Sequence, residues 1–308
     1  MTLSVSMVKE LREKSGAGMM DCKKALLETD GKIEEAIDWL RKQGLSAVAK
    51  KSSRVAAEGL IGVTVKDNQG ALIEINSETD FVARNELFQD FVKTCSDLSL
   101  TCNEDIEILK QMQYPNTGRS VDQELANNIA TIGENMNVRR SKILKVSNGV
   151  IISYVHNNVA DGLGKLGVLV ALESNGDKDK LSSVGKQIAM HIAATSPKSL
   201  NIEDLDEDVV DRERQVLIDQ AVASGKPKEI AEKMVNGRML KYFQEVVLNE
   251  QVSVIDGETK IKDVVTKLQK DLDTEVKLAG FIFLKLGEGI EVSENDFAAE
   301  VAATAGIK

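Results

Sequence analysis

The chain has 308 residues, enough for two or three domains, with an ordinary globular balance of 42% hydrophobic and 29% charged residues. A net charge of -10 argues against tracking along a nucleic-acid backbone, which needs a basic face, and the short patch Lys50, Lys51 and Arg54 does not reverse that. No run is long and apolar enough to cross a membrane, and three cysteines (Cys22, Cys95 and Cys102) make no even disulfide framework, which fits a reduced, cytoplasmic protein.

Residues 1–55 read as a small helical unit. Met1 to Lys14 is an amphipathic, charge-bearing pattern rather than a signal peptide. Helix one carries Val5, Val8 and Leu11 and stops at Ser15-Gly16-Ala17-Gly18; helix two carries Met20, Ala25 and Leu26 and ends at Asp30-Gly31. Helix three carries Ile33, Ala36, Ile37 and Leu40 and is expected to end at Gly44. A three-helix bundle of this size is marginal unless docked. The run from Ala25 to Leu40 resembles a ubiquitin-associated domain, a class that binds partners. The loop Gly16-Ala17-Gly18-Met19-Met20 suits that role because methionine adapts to a partner surface, with Met20 equally able to fill the bundle core.

Ala47 to Ala57 is a joint. Two alternating runs, Gly59–Val65 and Ala71–Asn76, flank the turn Asp67-Asn68-Gln69-Gly70 and predict an antiparallel hairpin. An amphipathic helix follows from Glu86 to Leu98, with Leu87, Phe88, Phe91 and Val92 at helical spacing. Between hairpin and helix lies Ser77-Glu78-Thr79-Asp80-Phe81-Val82, a junction that can hold a side chain rigidly outward. The plainer alternative has Thr79 or Asp80 capping the helix and Phe81 in the core.

Helical patterns cover Ile106–Gln113 and Val121–Ile132, and the run Gly133–Arg140 leads into a strand at Ile143–Val146. The hairpin then returns: strand Gly149–His156, turn Asp161–Gly167, strand Val168–Asn175, and a helix through Val184, Ile188 and Ile192. The echo between Gly59…Glu74-Ile75-Asn76 and Gly149…Glu173-Ser174-Asn175 suggests two related α+β subdomains packed together. Asp206–Ala223 and a second helix starting near Pro227 and running to Val247 make a charged helical hairpin, better suited to an interaction arm than to an active site. Leu278–Gly287 should complete the second sheet, and Asp296–Ala303 reads as a terminal helix carrying Phe297 and Val301.

No catalytic grouping emerges. His191 lies on an apolar helix face, His156 ends a strand beside Asn157-Asn158, and no cysteine pair has metal-ligand spacing. Gly162-Leu163-Gly164-Lys165-Leu166-Gly167 matches a dinucleotide fingerprint in letters, but a strand rather than a helix follows it. A pure adaptor built on residues 1–55 and a small-molecule enzyme on the α+β core are the competing readings; the second lacks an acid, base, nucleophile or metal cluster.

Six runs together resemble the bacterial elongation factor Ts family over nearly the full length. They are Val8–Arg12 with Gly16–Leu26, Thr79-Asp80-Phe81-Val82, Ile132-Gly133-Glu134-Asn135, Ser224–Val235 and Asp296–Val301. Asn157 to Lys165 is longer than the family's usual loop, and Thr101 to Val121 is individual to this chain. The resemblance implies an α+β fold with a ubiquitin-associated-like helical domain at 1–55 and a core N-subdomain at 56–147. It places a core C-subdomain at 148–198 plus 248–287, a helical-hairpin insertion at 199–247 and a C-terminal module at 288–308.

It further implies a nucleotide-exchange factor without bond chemistry, cofactor or metal of its own, whose partner is elongation factor Tu. Phe81 would be a wedge that displaces the partner's magnesium ion, with Asp80 bonding beside it and Thr79 and Val82 setting its direction. Arg12, Met19, Met20, His156 and Phe297 would add contacts, and the hairpin would touch the partner or a second copy of the chain.

Overall fold

The computed structural model describes residues 4–15, 17–225 and 228–291. Three helices open it: α1 (Val5–Ser15), α2 (Met19–Glu28) and α3 (Ile33–Lys51). Leu11, Cys22, Ala25, Leu26 and Ala36 are fully buried among them. Helix α3 does not stop at Gly44. Gly44 lies inside α3 beside α6, where even a Cβ would stand 3.9 Å from Ala126 O and Ala130, an ordinary contact distance, so the glycine neither ends the helix nor is forced by the crossing. The extra turns dock the bundle on the core, and Lys51 donates to Ile129 O at 3.3 Å.

The core repeats one plan twice. In the first copy β1 (Glu58–Lys66) and β2 (Gln69–Ser77) form a hairpin about Asp67-Asn68. Helices α4 (Glu86–Ser99), α5 (Ile106–Gln111) and α6 (Val121–Ile132) follow, and β3 (Met136–Lys145) pairs antiparallel to β2. This last strand starts at Met136, seven residues before the expected Ile143, because Met136 and Val138 alternate inward to the core under α6. In the second copy β4 (Gly149–His156) pairs with β6 (Leu166–Ser174), α7 (Lys178–Thr195) follows, and α10 (Ile261–Leu272) precedes β7 (Val276–Lys285).

Helix α10 was not visible as a pattern in its own right. Yet Ile261 and Val265 stand where Val121 and Leu125 stand in α6, Leu268 extends the same buried face one turn on as Ile129 does there, and each helix is entered through a matching antiparallel bridge, Gln113 to Ser120 and Val252 to Lys260. Strand registers refine the echo. Gly59 faces Asn76 and Gly149 faces Glu173, so Glu74 corresponds to Ala171 rather than to Glu173. Both glycines have positive φ, 124° and 137°, and a Cβ on either would collide with the facing carbonyl, Ile75 O or Leu172 O.

The sheets run β3-β2-β1-β5, where β5 is Leu163–Gly164, and β4-β6-β7. The two-residue strand β5 comes from the second copy but pairs with Ile61 and Gly62 on the first. Leu60, Ile73 and Ile75 face α4 and α6; Val168, Val170 and Leu172 face α7 and α10. Alternate residues, Ile61, Leu72, Ile151, Leu169 and Leu284, meet in a third apolar layer between the sheets. The order is therefore helices, sheet, sheet, helices, an α+β architecture. Helices α8 (Glu207–Ala223) and α9 (Lys228–Val246) form the hairpin, packed on each other through Ala221, Val235 and Met239. Pro227 and the segment holding Phe297 lie outside the described residues.

Candidate partner-binding site

Phe81 is 79% exposed. Its neighbours explain how so apolar a ring is kept in water. Val82 and Ala83, directly after it, are buried in the core beneath α4. Residues Val82–Arg84 form one tight helical turn in which Arg84 N donates to Phe81 O at 3.1 Å and Asn85 N to Val82 O at 2.9 Å. The cap of α4 is Asn85, whose side chain accepts from Leu87 N and Phe88 N, not Thr79 or Asp80. Gln89 then reaches back to Ala83 O at 2.8 Å. The turn thus has a buried floor and a fixed exit.

Its entry is fixed as well. Glu134 accepts from Thr79 twice, from the backbone amide at 2.9 Å and from the hydroxyl at 2.7 Å. Ser77 Oγ donates to Thr79 O at 3.0 Å. Glu78 accepts from Asn135 N, and Asn135 Nδ2 donates to Arg54 O at 2.8 Å, with the Arg54 guanidinium 3.4 Å from Glu78. Asp80 is exposed beside the ring. Glu134 and Asn135 stand in the sequence only as part of a family pattern. Their partners lie 55 and 57 residues earlier, a separation that no local spacing reveals.

The other expected contacts that fall among the described residues are also at the surface. Arg12 is exposed on α1, and Met19 and Met20 are 61% and 73% exposed at the start of α2, so Met20 does not fill the bundle core. His156 is exposed at the end of β4, its Nδ1 3.1 Å from the Tyr154 hydroxyl. A short chain of contacts joins it to the Phe81 turn: Ser77 faces Glu58, Glu58 binds Lys165 at 3.0 Å, and Leu166 faces His156. Among the described residues no group of three His, Cys, Asp or Glu could hold a metal ion, and no helix is long and apolar enough to cross a membrane.

Comparison with known proteins gives this geometry its context. Residues 78–288 match the family profile described as Elongation factor TS. A protein of Rhodospirillum centenum named elongation factor Ts is 59% identical over 304 residues, covering 99% of each chain. The chain belongs to the elongation factor Ts family. Proteins of the same name from Rhodospirillum rubrum and Rhizobium etli (strain CIAT 652) are 56% and 53% identical, each match covering 98% of both chains. As a member of the elongation factor Ts family, the chain carries Phe81 within the span that defines the family, three residues past its first matched position, Glu78.

Proposed function

We propose that this chain binds GDP-loaded elongation factor Tu and speeds release of GDP by driving Phe81 into the partner's nucleotide domain. The ring would shift the groups that hold magnesium and disturb the phosphate site. The observation that carries this reading is an aromatic ring left 79% exposed on a turn fixed at its floor, entry and exit. Such a ring loses little freedom on insertion, so its burial, roughly 1.5–3 kcal/mol for a large apolar side chain, goes into the complex.

An exchange factor makes and breaks no bonds. It binds the nucleotide-free partner better than the GDP-bound one, and by linkage GDP weakens the factor by the same ratio. Asp80 bonds partner groups beside the ring, while Thr79 and Val82 aim it. Arg12, Met19, Met20 and His156 widen the footprint, and Phe297 adds a contact from the C-terminal module.

The division into 1–55, 56–147, 148–198 with 248–287, 199–247 and 288–308, and a cytoplasmic location, belong to the same reading. The hairpin exposes Val216, Ile230 and Leu240, which supports a role as an interaction arm toward the partner or a second copy. The deciding experiment follows release of a fluorescent GDP analogue from elongation factor Tu. Sub-stoichiometric amounts of this protein should discharge the whole population. Release in strict proportion to the amount added, or at the uncatalysed rate, would refute the reading.

A further inference from the structure

We infer that Glu134 is a positioning residue for the wedge, aiming Phe81 through Thr79 without being part of the inserted surface; the inference rests on the exchange reading above. Glu134 follows the left-handed end of α6 at Gly133, φ 92°, which turns the chain back toward the Phe81 junction. Both of its oxygens are used on one residue, the Thr79 amide and hydroxyl. The next residue, Asn135, holds Glu78 through its backbone and Arg54 O through its side chain. Two adjacent residues thus grip two adjacent residues from outside the junction.

The junction itself supplies little to replace that grip. From Ser77 to Thr79 the bonds that fix direction are those to Glu134, those of Asn135 and Arg54 to the Glu78 carboxylate, and Ser77 Oγ on Thr79 O; only at Asp80 O and Phe81 O do Ala83 N and Arg84 N of the tight turn take over. Thr79 is two residues before Phe81, so a small rotation there swings the ring. A ring that must enter a closed site is sensitive to displacement of this order. A carboxylate is suited to the task because it accepts two donors at once and has none of its own to clash with them. Since Asn135 also holds Arg54, the same turn links the direction of Phe81 to the joint below α3.

The test is a double-mutant cycle on full-length protein, read by stopped-flow release of a fluorescent GDP analogue from saturated elongation factor Tu. Glu134→Ala should slow release by about 10-fold, less than loss of the ring itself, while affinity for the nucleotide-free partner falls much less. Glu134→Gln, which keeps one acceptor, should restore part of the rate. In the Phe81→Ala background, Glu134→Ala should have no further effect on release, because it acts only through the ring. A melting curve accompanies each variant; should the alanine variant not fold, the glutamine variant carries the cycle. A full Glu134 effect that persists without Phe81, or a native rate in the Glu134 variants, overturns the inference while leaving the wedge intact. A native rate for Phe81→Ala overturns the wedge, and this inference with it.

Discussion

Glu74 and Arg139 meet at two points, 2.9 and 3.1 Å, with the Glu74 carboxylate wholly withdrawn from water. Arg140 Nε approaches the same carboxylate at 2.5 Å, Asn76 Nδ2 at 3.0 Å and Gly287 N at 2.8 Å. Arg139 and Arg140 also donate to Glu288 O and Lys285 O, so one buried charge ties β2 and β3 to the end of β7. Removing it leaves two guanidinium groups short of their counter-charge. Glu74→Ala should destabilise the protein by about 3–5 kcal/mol, measured by urea unfolding. Glu74→Gln should recover part of the loss, because it retains an acceptor for Gly287 N.

The same carboxylate has a pH signature. Burial pushes its pKa up, but bonds from Asn76, Gly287 N and Arg140 together outweigh burial and hold it below its ordinary 4.5. The stabilisation from this group is complete above that value and is lost as pH falls through the lower folded pKa. Unfolding midpoints between pH 5 and 3 should fall less steeply in Glu74→Gln than in the parent protein.

His191 acts in a higher window. It is fully buried, with Nε2 2.8 Å from Gln251 Oε1 and Nδ1 accepting from Val254 N at 3.2 Å. A ring that accepts at Nδ1 is neutral, and desolvation, only partly offset by Gln251, lowers its pKa below the ordinary 6.5. Below that value the unfolded chain takes up a proton that the folded chain refuses, so stability is full above it and declines as pH drops. Denaturant titrations from pH 7.5 to 5.5 should show this slope, and His191→Gln should flatten it.

Phe81→Ala separates binding mechanics from folding. With the ring exposed, the melting curve should move by no more than about 0.5 kcal/mol. Release of GDP from the partner should slow roughly 30-fold, as for a central aromatic anchor worth about 2 kcal/mol. A matched loss in both, or in neither, would contradict the assigned role.

The internal repeat makes a paired prediction. Gly59→Ala and Gly149→Ala each force a side chain into a positive-φ position against a carbonyl, at about 1–3 kcal/mol apiece. Chemical denaturation should give similar losses for the two, since they occupy the same place in the two copies.

Much of this fold could be read from residues alone because hairpins and amphipathic helices are local patterns. Gly59 to Asn76 and Gly149 to Ser174 alternate on either side of turns, and α4 declares itself through Phe88, Phe91 and Val92. Gly44 reads as a helix end because glycine is a common stop, yet α3 runs through it, and the packing on α6 that carries the helix onward is not a local pattern. Glu74 looks like an outward position between Ile73 and Ile75, and so it would be on a half-exposed sheet. Here the outward side is the layer between two sheets, where only a counter-charge brought in from β3 makes a carboxylate tolerable. The Phe81 junction was visible, but its grip by Glu134 depends on tertiary proximity.

The borrowed strand β5 means that neither half of the core is self-sufficient. Without residues 163–164 the first sheet offers the bare rim of β1 to any extended peptide, and without the second sheet its inner apolar face is uncovered. Severing the chain near Asn148 therefore yields two sticky fragments whose stable fate is to find each other again, so that split halves produced together should reassemble while either produced singly should precipitate.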